Sequence, residues 1–145
     1  MAETFDPGWL NCRESVDHRS RSTMSVEMVV RAWIESDWSR VVDIGAGTGS
    51  NMRYLAPRLP QPQHWILVDS DKDLLNEAAV EPAESVDVTT LVADVSGSAP
   101  AIIEETNADL VTASAFLDLV SEEWLKAMVE ACRAGRRGAL FSLTY

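Results

Sequence analysis

From Thr23 onward the apolar residues Val26, Val29, Val30 and Trp33 recur at i, i+3, i+4 and i+7, the spacing of one face of an α-helix. That helix is predicted to end between Ser36 and Ser39, where the period changes. Arg40 to Ile44, in which the β-branched Val41, Val42 and Ile44 are interrupted by a single carboxylate, Asp43, reads as a buried strand. Gly45, Gly47 and Gly49 follow at once, and a helix opens near Ser50 with Met52, Tyr54 and Leu55 on it. Pro57, Pro60 and Pro62 turn the next segment into a loop. Trp65 to Val68 is a second strand ending in Asp69, and Asp71 to Val80 a helix with Leu74, Leu75, Ala78 and Ala79 on its apolar side.

The same alternation continues to the end. Val86 to Val92 is a third strand leading to Ala93 and Asp94. A Ser/Gly/Pro loop is expected next, then a short helix through Ile102, Ile103 and Glu104. Ala108 to Ala113 is the fourth strand. Ser121 suits an N-cap, with Glu122 and Glu123 in the first turn, an apolar stripe of Trp124, Leu125, Met128, Val129 and Cys132, and Gly135 as the stop. Gly138 to Tyr145 is the fifth strand. Strands and helices alternate, and the strands are too uniformly apolar for a sheet open to water on one face, which predicts an α/β sandwich: a central parallel sheet of about five strands, right-handed crossovers, helices on both faces. Residues 1–38 then form an N-terminal arm and helix, and 39–145 the core, within one domain. In the arm Phe5, Trp9 and Leu10 can dock on a core, whereas Arg13 to Ser22 is strongly polar and reads equally as a solvated helix or arm and as a functional segment.

Composition narrows the partners. Net charge is −11, from 23 acidic against 12 basic residues, which disfavours nucleic acid and anionic membrane surfaces and favours a small-molecule or protein partner. Cys12 and Cys132 lie far apart with two histidines in the chain, so no metal site is expected and the thiols read as those of a reducing compartment. The N-terminus lacks a signal pattern and no apolar run spans a bilayer; the chain is read as cytoplasmic.

In sheets of this kind ligands sit beyond the carboxyl ends of the strands, where the strand order reverses, and the turn at Gly45, Gly47 and Gly49 lies there. The D-x-G-x-G-x-G pattern of Asp43, Gly45, Gly47 and Gly49 resembles that of class I S-adenosylmethionine-dependent methyltransferases, a Rossmann-like fold, from about Arg40 to Tyr145. The resemblance implies S-adenosylmethionine as cofactor and S-adenosylhomocysteine as product. It places the glycine turn, with Ala46, against the methionine part and ribose, and Asp43 near the cofactor's amino group. Asp69, with Ser70, falls where the ribose hydroxyls are held; Asp94 falls beside the adenine amino group and the Val95 amide near a ring nitrogen, although Asp94 serves equally well as an N-cap. Asn51 and Ser114 complete the implied cofactor contacts.

Ser114 to Asp118, SAFLD, occupies the place of the methyl-transfer pocket. It lacks the Asn/Asp-Pro-Pro-aromatic run of the nucleic-acid amino-methylating branch, which again favours a small acceptor. No catalytic residue is assigned. His18 is a candidate base should the arm fold over the cofactor; Arg13, Arg19 and Arg21 are candidates to hold a carboxylate or phosphate, and Asp118 to orient an acceptor or simply to cap. The stretch Trp9 to Ser22 is similar to the arm preceding the core in a group of bacterial methyltransferases. Two other readings stand beside this one: a nicotinamide-dependent oxidoreductase, because Gly45, Gly47 and Ser50 nearly fit G-x-G-x-x-[G/A], and a non-catalytic cofactor-binding or interaction module. The family's further helix and antiparallel hairpin after strand five are missing from the sequence, so strand five is expected at an exposed edge, with Leu140, Phe141 and Leu143 available for homodimer contact. Light scattering of dilute protein is expected to give a mass above the monomer; a strictly monomeric mass counts against association through this side.

Overall fold

The structure, a computed structural model, describes residues 6–78, 84–114 and 119–143. Two helices, α1 (Pro7–Arg19) and α2 (Thr23–Glu35), precede an alternating series: β1 (Arg40–Ile44), α3 (Ser50–Leu55), a short 3-10 turn, β2 (Gln63–Asp69), α4 (Lys72–Ala78), β3 (Val86–Val92), α5 (Val95–Thr106), β4 (Leu110–Ser114), α6 (Glu122–Ala134) and β5 (Gly138–Ser142). The strands form one sheet in the order β3-β2-β1-β4-β5, and every pairing is parallel. The expected α/β sandwich is therefore the architecture observed, and the order reverses between β1 and β4.

Side-chain alternation along the strands builds the two layers. Val41, Trp65, Leu67, Val86 and Leu110 pack with Val26, Val29 and Trp33 of α2, with α3 and with α4. Val42, Ile44, Ile66, Val68, Val111 and Ala113 pack with α5 and α6 on the other face. Asp43 shares the parity of Val41, and its Cα partner in β4 is Thr112. The one carboxylate of β1 thus points to the α2–α3 side.

Several expectations are corrected. The Ser/Gly/Pro stretch after Asp94 is helix from Val95, because Asp94 caps it and Val95, Ala99, Ile102 and Ile103 bury one face. Pro100 lies inside that helix. On α6 the buried residues are Trp124, Met128, Ala131 and Cys132, whereas Leu125 and Val129 face solvent; the stripe is narrower than five apolar residues suggest and passes through an alanine. Trp9 is exposed rather than docked, with the Arg13 guanidinium over its ring, and α1 buries no residue at all. Phe5, and Ala79 and Val80 of the expected fourth helix, lie outside the described residues.

Two polar hubs, Asp109 and the buried Gln63, fix the connections. Asp109 Oδ2 accepts the N–H groups of Ser39 and Arg40, both at 2.9 Å, and so aligns the start of β1 with β4. Gln63, 2% exposed, donates from Nε2 to the carbonyls of Ala56 and Leu59 at 2.9 and 2.8 Å and accepts the Trp65 indole N–H at 2.8 Å. The proline-rich loop is thereby tied to β2. Gln63→Leu leaves these buried groups unpaired and is expected to cost about 2–4 kcal/mol, read as a lower urea midpoint at unchanged m-value; a shift equivalent to less than about 0.5 kcal/mol counts against the hub.

Candidate functional site

The turn after β1 is built on backbone conformations that side chains resist. Gly47 has φ +55° with nothing within 4 Å of where a Cβ would stand, so its outer side is open space. Gly49 has φ +84°, and a Cβ there would stand 3.1 Å from the Ala78 Cβ, so its missing side chain lets α4 approach. Ala46 N–H donates to the Val68 carbonyl at 2.9 Å. Asp69, at the end of β2, accepts the Gly47 N–H at 2.8 Å on Oδ2 and the Asp71 N–H at 2.9 Å on Oδ1. Its carboxylate therefore shapes the turn, and each oxygen keeps acceptor capacity.

Beneath the turn lies Asp43, 1% exposed. Its Oδ1 accepts from Asn51 Nδ2 and from Thr112 Oγ1, each at 2.9 Å. Its Oδ2 is buried without a partner among the described residues. Burial pushes the carboxyl up to about 6, against the opposing pull of the Asn51 and Thr112 hydrogen bonds and the more distant Arg21. An orphaned buried acceptor under an open glycine cradle is an arrangement awaiting a donor.

The arm reaches the same place through polar groups. His18 Nε2 lies 3.1 Å from both the carbonyl oxygen and the hydroxyl of Ser50. Arg21 donates to Asn51 Oδ1 at 2.9 Å while lying over the Tyr54 ring, 4.5 Å from its centroid; Arg58 lies over the same ring at 4.0 Å. Glu14 takes both the Nε and a terminal nitrogen of Arg53, at 2.7 and 2.8 Å, a fork that holds the Glu14 carboxyl below the usual range. A chain of contacts runs from Arg21 through Asn51 to Asp43.

The remaining candidates divide. Asp94 is exposed and caps α5, accepting the Ser96 N–H at 3.0 Å and the Ser96 hydroxyl at 2.6 Å, which lower its pKa. Val95 is buried, with its carbonyl taking the Trp124 indole N–H at 2.7 Å. Ser70 is exposed just beyond β2, and Ser114 ends β4. These sit at the carboxyl edge of the sheet with the glycine turn. Arg13 does not join them: it pairs with Asp17 at 3.0 Å along α1. Asp118 lies outside the described residues. A cavity of about 200 Å³ opens between the α1–α2 junction and the ends of β4 and β5, with Asp17, Arg21, Ser22, Ser114, Phe141 and Ser142 on its wall. Thr112 and Tyr54 were not singled out from sequence; a lone polar residue inside the apolar LVTA strand was the available signal for Thr112. Among the described residues no cluster of three metal-ligating side chains occurs, and no helix is long and apolar enough to cross a membrane.

The reversed parallel sheet, the glycine turn at its switch point and the strand-end carboxylate define the cofactor-binding class of doubly wound domains. The chain belongs to the methyltransferase domain family, whose sequence pattern matches residues 41–138. Among solved structures it is similar to the small RNA methyltransferase HEN1, at 19% identity over 97% of this chain and 17% of that one, TM-score 0.56. It is also similar to a cyclopropane-fatty-acyl-phospholipid synthase-like protein from Lactobacillus casei, at 15% identity over 92% of this chain and 50% of that one, TM-score 0.55. An S-adenosylmethionine-dependent methyltransferase from Mesorhizobium loti is 18% identical over 70% of this chain and 45% of its own, TM-score 0.46. The first two likenesses show the fold, and the chain spans half or less of the length of all three. No curated protein sequence matches the chain.

The raised Asp43 pKa has a stability consequence. Between the unfolded carboxyl value and about 6 the native state keeps a proton that the unfolded chain has released, so this group makes stability fall as pH rises through that window. Asp43→Asn keeps the acceptor for Asn51 and Thr112 and removes the titration. Urea unfolding from pH 4 to 7 is expected to fall less steeply for the variant, by at most about 1.4 kcal/mol per pH unit; parallel profiles would refute the assignment.

Proposed function

We propose that this domain binds S-adenosylmethionine at the glycine turn and serves a methyl transfer to a small-molecule acceptor. The observation that carries the reading is the buried Oδ2 of Asp43, without a partner among the described residues and beneath the open face of Gly47, in a chain of the methyltransferase domain family. A cofactor with an ammonium group suits that oxygen, and its two ribose hydroxyls suit the spare acceptor capacity of Asp69. When bound, the cofactor supplies an electrophilic methyl group on a sulfonium, which passes to an acceptor lone pair as the carbon–sulfur bond breaks and its electron pair stays on sulfur.

The chain's own residues bind and orient. Asp43 and Asn51 fix the floor of the site, Asp69 shapes the cradle through the Gly47 N–H, and the arm covers α3 through His18 and Arg21. Such a reaction asks the protein mainly for alignment and exclusion of water. Asp94 and Val95 are the residues proposed for the adenine side, and Ser114 for the junction with the acceptor. A small-molecule acceptor fits the net charge of −11 better than nucleic acid does.

Calorimetric titration with S-adenosylmethionine, S-adenosylhomocysteine and NAD tests the reading. The first two are expected to bind and NAD to show no heat of binding. Asp69→Asn, which keeps the shape of the side chain but loses its charge, is expected to weaken S-adenosylhomocysteine about tenfold or more. Binding of NAD alone would return the oxidoreductase reading, and binding of none of the three would favour an interaction module.

A further inference from the structure

Two charged side chains stand on the wall of the cavity between the α1–α2 junction and the ends of β4 and β5, Asp17 and Arg21. Their situations differ. Asp17 is satisfied by Arg13, whose Nε and terminal nitrogen lie 3.0 and 3.4 Å from its two oxygens. Arg21 is half-buried, and among the described residues no carboxylate lies within ion-pairing distance of it. Among the described residues the guanidinium's hydrogen-bond partner is neutral, the Asn51 amide oxygen, and that amide stands between the guanidinium and Asp43. Burial lowers its pKa in spite of the distant attraction of Asp43 and Asp17, the mark of a cation stripped of water without a full counter-charge.

The guanidinium is also held still. One N–H is fixed by Asn51 and one face lies over Tyr54, so the remaining donors of its planar fork are preorganised. Besides Asp17 and Arg21, the wall is made of the serines Ser20, Ser22, Ser25, Ser114 and Ser142 and of the apolar residues Val26, Leu140, Phe141 and Leu143. The volume, about 200 Å³, is below that of drug-sized sites.

We propose that this cavity is the acceptor site and that it selects a small molecule carrying an oxyanion, a carboxylate or a phosphate monoester, gripped by Arg21 with its apolar body against Val26, Leu140 and Phe141. The proposal rests on the methyltransferase reading for the name acceptor, and on Arg21 alone for the charge. Of the three arginines that the arm's sequence offered, Arg13 is consumed by Asp17 and Arg19 is exposed on α1; Arg21 is the one on the wall. The oxyanion is a handle, so the methylated atom lies elsewhere on the same molecule.

The test uses matched probes on the full chain with S-adenosylhomocysteine present: 4-hydroxybenzoate against 4-hydroxybenzamide, phenyl phosphate, and acetate against acetamide, by ligand-observed NMR titration. At least one oxyanion is expected to bind about tenfold or more tightly than its neutral counterpart. That ratio is expected to shrink below about threefold in Arg21→Gln and to be intermediate in Arg21→Lys, which keeps the charge and loses the fork. A carboxylate preference without phosphate binding assigns the first source, and the reverse the second. Equal binding of charged and neutral probes, or binding of none, overturns the proposal even where S-adenosylhomocysteine binds. Oxyanion preference in a protein that does not bind S-adenosylhomocysteine would overturn the cofactor reading and leave the Arg21 site standing. Should Arg21→Gln lose its cooperative thermal transition, the wild-type ratio and the Arg21→Lys ratio decide.

Discussion

Taking a carboxylate out of water at the centre of a sheet costs several kcal/mol unless donors surround it, and at Asp43 the donors come from separate elements. Thr112 approaches from β4, Asn51 from α3, and Arg21 stands behind Asn51 from the arm. Each of these contacts converges on one oxygen or on the amide that serves it. The parallel register that sets Asp43 opposite Thr112 and the glycine turn that delivers α3 immediately afterwards are therefore conditions for keeping that charge inside. The other oxygen has no donor among the described residues, and buried groups left unsatisfied in this way gather at functional sites.

The arm extends the same logic outward. A helix that buries no residue has no hydrophobic reason to stay where it is, and α1 instead lies against α3 through Glu14 with Arg53 and His18 with Ser50. Polar docking of this sort is weaker and more dependent on ionic strength than packing. It also explains a contrast in the charge distribution: a strongly acidic chain places Arg21, Arg53 and Arg58 around Tyr54 and the start of α3.

Periodicity made most of the sheet legible. β1 runs over Arg40–Ile44 as the apolar run implied, and the core face of α2 is that of Val26, Val29 and Trp33. What failed was composition used alone. Gly97, Ser98 and Pro100 look like a loop, yet an N-cap at Asp94 and four buried residues outweigh their propensities. Leu125 and Val129 look like core, yet the helix turns them outward. At the site, the glycine pattern and the strand-end carboxylates point to a place, whereas the links from Arg21 to Asn51 and from Thr112 to Asp43 join residues about 30 and 69 positions apart. No local pattern encodes such a pairing.

That separation follows from the strand order. β1, β2 and β3 are neighbours in sequence and in space, but β1 meets β4 only after three helices and two strands have intervened. Closing a loop of that length costs entropy before any contact repays it. The crevice lies on this seam, so it belongs to neither half of the chain: a fragment ending before Asp109 would keep the glycine turn and lose Thr112 and the Asp109 clasp together. The crevice is in this sense a product of long-range chain closure rather than of the glycine motif beside it.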